Sequence, residues 1–153
     1  MNIFSVDELG DVFADVLVEV VSTISGFSLN VLSSEPETSS DELVGIVSLN
    51  GLKSGMLLIS SEEAKMRTLC SFMTGIPKNT VTKDDIDDAM CELVNIVAGN
   101  AKLRLGGSGY LFTCSTPFVV SGANLSVITK KRTCIVSRFL GGSEISVTLR
   151  IIY

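Results

Sequence analysis

Residues 84–102 of the chain read DDIDDAMCELVNIVAGNAK, and this stretch is the most informative about the fold and the functional site. Its apolar residues recur at helical spacing, so it predicts one long helix. At about 100° per residue, the polar positions fall within an arc of roughly 80°. These positions are Asp88, Glu92, Asn95, Gly99 and Lys102. An otherwise apolar helix therefore exposes one narrow polar stripe, where we expect the functional site.

The chemistry of this stripe depends on Glu92 and Asn95, which are three residues apart and so point the same way from a helix. A carboxamide both donates and accepts hydrogen bonds, so Asn95 can hold and orient a water molecule. The Glu92 carboxylate can bind a lysine or a metal ion of a partner. Gly99, one turn further on, lets another molecule approach closely. The pattern suits water positioning in phosphoryl transfer, although a merely solvated helix face has the same pattern.

Composition bounds the class of protein. A chain of 153 residues, 46% apolar and 19% charged, is typical of one globular domain. The net charge of −5 argues against nucleic acid or an anionic membrane as the main partner. The apolar stretch 16–24 is too short to cross a bilayer and contains Glu19. We therefore expect no nucleic-acid partner and no membrane insertion.

Several kinds of catalytic centre are excluded by residue type. The chain has no histidine, which removes serine and cysteine nucleophiles activated by histidine. The sequence has no glycine-rich nucleotide motif. Its cysteines are widely separated: Cys70, Cys91, Cys114 and Cys134. Isolated thiols are typical of a reducing cytoplasm, so we predict a cytoplasmic protein that binds no metal or cofactor of its own.

The predicted elements alternate between helices and strands. Helices are expected at about 6–24, 61–73 and 84–105. Each follows a residue spaced as in a capping box: Ser5 and Glu8, Ser60 and Glu63, Thr82 and Asp85. Strands are expected at 28–33, 43–49, 55–59, 110–120, 125–129, 133–139 and 144–152, with Pro117 indicating an edge, a bend or two pieces. This order predicts an α+β fold with a mostly antiparallel sheet.

The first and third helices align with a constant offset of 73 residues. The aligned pairs are Asp15 and Asp88, Glu19 and Glu92, Ser22 and Asn95, Gly26 and Gly99. We infer a pseudo-twofold repeat in one domain, 1–153. Two related halves, about 1–60 and 82–153, each contain a helix and three strands and are joined by a helix at about 61–74. Chance similarity of amphipathic segments is the alternative. Because Ser22 replaces the asparagine, Glu19 and Ser22 form a predicted degenerate second site.

The run 88–102, together with the repeated halves, resembles the signature helix of the CheC/CheX/FliY phosphatases of bacterial chemotaxis. The resemblance covers essentially the whole chain and is greatest for the CheX type. CheC-like members often carry the motif in both halves, whereas CheX-like members keep one copy. Ser22 therefore fits the CheX type. The resemblance implies long helices packed on a sheet built from both halves.

The same resemblance implies hydrolysis of the aspartyl phosphate of a CheY-like response regulator. Asn95 would orient the attacking water, and Glu92 would pair with a lysine of the regulator. Asp88, Gly99 and Lys102 are candidates for further contact with this partner. The regulator would supply both the phosphoaspartate and Mg²⁺, so this chain would need no metal.

The resemblance also implies a homodimer formed through sheet edges. Two other functions stay open on the sequence. One is a non-catalytic module that docks on a response regulator or a flagellar switch component. The other is a dimeric structural domain without a receiver partner.

Overall fold

The computed structural model describes residues 5–35, 41–51, 54–128 and 135–153. Within these ranges the helices are α1 (Val6–Ser25), α2 (Glu63–Thr74) and α3 (Lys83–Leu105), with a short 3-10 helix at Lys78–Thr80. The strands are β1 (Asn30–Leu32), β2 (Leu43–Gly51), β3 (Gly55–Ser61), β4 (Phe112–Cys114), β5 (Phe118–Ser121), β6 (Ile135–Gly141) and β7 (Ser146–Ile152). The α+β class predicted from the sequence is confirmed.

The strands form one antiparallel sheet in the order β1-β6-β7-β3-β2-β4, and β5 also pairs with β2. Each half contributes a β-hairpin, β2–β3 from the first and β6–β7 from the second. If β1, β2 and β3 of the first half are exchanged with β4, β6 and β7 of the second, the same strand order results, read from the opposite edge of the sheet. Strands β3 and β7, one from each half, pair at the centre of the sheet, where the predicted pseudo-twofold repeat would have its axis.

Helices α1 and α3 pack on one face of the sheet, and α2 packs against both of them. The core between these layers is filled by large side chains with less than 2% of their surface exposed. They include Phe13, Leu17, Leu57, Ile59, Met90 and Leu93. Burial of each such side chain contributes about 1.5–3 kcal/mol. The core therefore fixes the apolar sides of both long helices against the sheet.

Each long helix approaches the sheet closely at a glycine. A Cβ atom at Gly10 of α1 would overlap with Val136 Cγ1 of β6. A Cβ atom at Gly45 of β2 would lie 2.8 Å from Met90 Cγ of α3. The two halves thus achieve a close approach in different ways, with a glycine on the helix in one and on the strand in the other.

Two of the three predicted capping boxes are present, at Ser5–Glu8 and Thr82–Asp85. The third prediction is wrong, because Ser60 lies within β3 and its hydroxyl donates to Asp41 Oδ2 at 3.0 Å. Helix α2 instead begins at Glu63, whose backbone N–H donates to Glu42 Oε2 at 2.9 Å. A carboxylate distant in sequence therefore replaces the local cap.

The predicted strand at 110–120 is divided into β4 and β5, which pair with different parts of β2. Pro117 lies between them. Proline has no backbone N–H to donate to a sheet ladder, so the chain leaves the ladder there and returns. Two of the alternatives that this proline allowed are observed: the segment forms two separate strands, and among the described residues both pair only with β2, at the edge of the sheet.

The strand predicted at 125–129 is absent from the described part of this segment, 125–128. Leu125 and Val127 pack instead on the second face of the sheet, against buried residues of β2, β3 and β7. The Leu125 N–H donates to the Asp41 carbonyl, so this segment is held without a ladder. The strand was predicted from the alternation of apolar residues. A loop that covers a sheet face has the same alternation, so this pattern does not distinguish the two. Thr129 and residues 133–134 of the next predicted strand lie outside the described residues.

Candidate functional site

All five residues of the predicted stripe lie on an exposed face of α3, which is 23 residues long. They are Asp88, Glu92, Asn95, Gly99 and Lys102. The residues between them, including Leu93, Val94 and Val97, have 0% of their surface exposed. The buried side fixes the helix against the core, and the polar side meets solvent.

The side chains of Glu92 and Asn95 are both exposed, and neither forms a hydrogen bond or an ion pair with another described residue. Two ion pairs engage other charged side chains of α3: Lys83 pairs with Asp87, and Arg104 pairs with Glu19 of α1. Glu92 and Asn95 are separated by about 4.5 Å along the helix axis. An unpaired carboxylate and an unpaired carboxamide therefore stand side by side on a rigid support, free to bind a partner.

Cys91 lies next to Glu92 but does not supply a nucleophile. Burial raises the pKa of its thiol, and the nearby carboxylates of Asp88 and Asp87 raise it further. A thiol with a raised pKa is protonated at neutral pH, and the thiolate is the reactive form. The stripe can thus orient water and bind a cation, but it contains no activated nucleophile.

A groove opens beside the N-terminal half of the stripe, between α3 and the end of α2. It is lined by Met73, Thr74, Asp85, Asp88, Ala89 and Glu92. Its three carboxylates favour a basic partner. Lys102 lies about 15 Å from Glu92 along the axis, so the stripe has an acidic end and a basic end. This polarity fixes which way a charged partner can lie along the helix.

The corresponding stripe on α1 is also exposed, at Asp15, Glu19, Ser22 and Gly26. Three differences separate it from the stripe on α3. The Glu19 carboxylate forms an ion pair with Arg104, and Ser22 has no carboxamide. Gly26 has a different role from Gly99, because it caps α1 with a positive φ of 74°. The sequence alignment therefore matches positions that the fold uses differently.

Sequence reasoning missed a second groove, which lies between α1 and α3 and is lined by Val16, Glu19, Val20, Thr23, Ile24, Ile96, Asn100, Leu103 and Arg104. Glu19 and Arg104, which meet across this groove, are 85 residues apart in the chain. No local pattern signals such a contact. Only the packing of the two helices brings these residues together.

Within the described ranges, no group of three or more histidine, cysteine, aspartate or glutamate residues is arranged to hold a metal ion. Nor does any helix in those ranges have the length and apolarity needed to cross a membrane. Cys70, Cys91 and Cys114 are free thiols. Cys134 lies outside the described residues.

Comparison with known proteins relates this geometry to a family. The family model for chemotaxis phosphatase CheX matches residues 43–140, which include α3 and its stripe. No curated protein matches the chain significantly.

Solved structures have the same fold over nearly the whole chain. A CheC-like superfamily protein from Shewanella sp. PV-4 has a TM-score of 0.82 at 25% identity, covering 97% of this chain and 98% of that one. Chemotaxis protein CheX from Vibrio vulnificus has a TM-score of 0.82 at 24% identity, covering 99% and 98%. The CheX–CheY–BeF3–Mg²⁺ complex from Borrelia burgdorferi gives a TM-score of 0.70 at 17% identity, covering 93% and 94%.

The family match spans more than half of the chain, and the solved structures share its curled antiparallel sheet and its helices. The resemblance inferred from residues 88–102 and from the two halves is therefore confirmed. The protein belongs to the chemotaxis phosphatase CheX family.

Proposed function

We propose that this chain hydrolyses the aspartyl phosphate of a CheY-like response regulator. The observation that carries the proposal is the exposed and unpaired pair Glu92 and Asn95 on α3, in a chain of a phosphatase family. The Borrelia burgdorferi relative, solved together with CheY, supports a receiver as the partner.

In this proposal Asn95 positions the water that attacks phosphorus. Its carboxamide accepts one hydrogen bond from the water and leaves a water lone pair directed in line with the bond to be broken. A bond forms between the water oxygen and phosphorus, and the bond between phosphorus and the aspartate oxygen breaks. Both protons of the water leave with the inorganic phosphate, and the receiver recovers its carboxylate. An acyl phosphate has a good leaving group, so positioning supplies most of what the step needs.

Glu92 holds the two proteins in register in this proposal. Its unpaired carboxylate would accept an ion pair from a lysine of the receiver. Asp88, in the same acidic groove, would reinforce the attraction, and Lys102 would contact the receiver at the basic end of the stripe. Truncating one partner of a buried charge pair at an interface typically costs about 2–5 kcal/mol, so Glu92 would contribute strongly to binding.

We propose that the receiver supplies Mg²⁺ together with the phosphoaspartate. The Borrelia burgdorferi complex supports this assignment, because Mg²⁺ is present there with CheY. On this chain the groups that act at the site would be the carboxamide and the carboxylate of α3, which position the water and the receiver.

We propose one active site for each chain. At the degenerate site the Glu19 carboxylate is engaged by Arg104, and Ser22 is too short to hold water where a carboxamide would. Glu19 and Ser22 would therefore be an inactive surface.

We also propose a homodimer formed through a sheet edge, in the cytoplasm. Among the described residues, β1 pairs only with β6, so one of its edges has no strand beside it. The three residues of β1 are exposed, including Val31 at 51% and Leu32 at 38%. An open edge with apolar side chains favours pairing with a second strand.

The test is the decay of a phosphorylated CheY-like receiver, measured with and without this protein. Asn95→Ala should lower the rate of hydrolysis about 100-fold or more, the usual cost of losing a polar group that stabilises or positions the reaction. The binding of a receiver activated with beryllofluoride should be largely kept. Asn100→Ala is the matched control, because it makes the same chemical change on α3 outside the stripe.

The outcomes separate the three functions. Unchanged hydrolysis by Asn95→Ala would refute the role of that carboxamide. Binding of activated receivers without any acceleration would indicate the docking module. No binding to any phosphorylated receiver of the same cell would favour a dimeric structural domain.

A further inference from the structure

Gly99 is a glycine that the fold itself does not explain. It lies inside α3, where glycine is one of the least favourable residues. Gly10, inside α1, is explained by its contact with β6, and Gly26 and Gly75 by a positive φ. Gly99 is not among the glycines with a positive φ. A Cβ atom added there would meet nothing within 4 Å.

The space over Gly99 lies in the path of the partner that the stripe would bind. On the helix, Gly99 projects between the directions of Glu92 and Asn95, within the polar arc. It follows Asn95 by about 6 Å along the axis. A partner that meets both of those side chains and extends one turn further, toward Lys102, passes over this exposed stretch of backbone.

We propose that Gly99 is a positioning residue: the main chain of a receiver loop packs directly on the α3 backbone there, and this contact sets how deeply the helix enters the receiver site. The inference rests on the proposed phosphatase function. In that function, the depth to which α3 enters the receiver site decides where Asn95 holds its water relative to phosphorus. The cost of a glycine within the helix is then offset only in the complex.

The size of the effect follows from geometry. A methyl group on Gly99 would move an atom packed on the backbone outward by about 1 Å, and a misplacement of that size can lower a reaction rate about 100-fold. Inside this chain the same methyl group fills open space, and alanine is the most favourable helix residue. The substitution should therefore strengthen the fold and weaken the reaction.

The experiment compares Gly99→Ala and Gly99→Leu with the unaltered protein. Both variants should unfold at a urea concentration equal to or higher than that of the wild type. Hydrolysis of the phosphorylated receiver should fall about 100-fold for alanine and at least as far for leucine. Because water positioning is disturbed, kcat should fall, and excess receiver should not restore it.

Asn100→Ala is the control for an effect of helix propensity on activity. It raises the helix propensity of α3, as Gly99→Ala does, but leaves the space over Gly99 open to the receiver. It should hydrolyse the receiver at the wild-type rate. An equal loss of activity in Asn100→Ala, or full activity in Gly99→Leu, would overturn the proposal.

Asn95→Ala distinguishes this failure from failure of the proposed function. If the wild type is active, Asn95→Ala inactive and Gly99→Leu fully active, only the role of Gly99 is wrong. If the wild type accelerates decay of no receiver, both proposals fall.

Discussion

Replacing Gly45 with alanine should destabilise the protein, although alanine is ordinarily the better residue in a strand. The new Cβ atom would lie 2.8 Å from Met90 Cγ, 3.1 Å from its Sδ and 3.2 Å from its backbone oxygen. Carbon atoms pack best at about 3.5–4.0 Å, so the overlap is close to 1 Å. Met90 has 0% of its surface exposed, so its side chain has little space into which it can move.

The magnitude follows from two opposing effects. Overpacking of a core costs about 1–3 kcal/mol. Replacing a glycine within a strand returns about 0.5–1 kcal/mol. The midpoints of these two ranges leave a net loss of unfolding free energy of about 1 kcal/mol. For a chain of this size, each kcal/mol lowers Tm by about 2–4 °C.

The assay is urea unfolding followed by circular dichroism, with Gly99→Ala as the matched glycine substitution at an open position. The two variants should differ from the wild type with opposite signs. Gly45→Ala should also cost less in a Met90→Ala background, because the truncated side chain leaves space for the new methyl group. Wild-type stability for Gly45→Ala, or the same loss in both backgrounds, would refute the close approach of α3 to β2.

Two further predictions concern a helix terminus and the degenerate site. Backbone and hydroxyl hydrogen bonds from Thr82 lower the pKa of Asp85, so the stabilisation it gives is complete above the ordinary aspartate pKa and is lost as pH falls through the lowered value. Carboxyl NMR titration should show the low pKa, and Asp85→Asn should flatten the acid limb of the stability curve; an ordinary pKa would contradict this. Ser22→Asn in an Asn95→Ala background should not restore hydrolysis, because Glu19 stays paired with an arginine of α3. Recovered activity would show that the first half is a working site.

The sequence predicted the helices closely because their signals are local. The expected third helix, 84–105, differs by one residue from α3 at Lys83–Leu105. Its apolar spacing and its capping box both lie within the segment itself. Capping of α2 and the course of residues 125–128 depend instead on contacts with β2 and its neighbours, which no local pattern contains.

The candidate site was predicted in two unequal parts. Helical periodicity was enough to place Glu92 and Asn95 on an exposed stripe, because burial follows the apolar side of the helix. Their chemistry did not follow from periodicity, since a solvated face has the same pattern; it came from the resemblance of the surrounding run. Pairing of Glu19 with Arg104 could not be predicted, because it depends on how two distant helices cross.

Helix α1 packs on a sheet to which both halves of the chain contribute strands. Its two faces are therefore under different evolutionary constraints. Its inner face completes a core shared by both halves, so neither half can lose that packing without unfolding the other. Its outer face is exposed and, in our proposal, has no catalytic duty. Mutations can accumulate there while selection preserves the buried side. In our proposal, the exposed face of α1 is therefore a surface on which a second binding specificity can evolve without loss of the first.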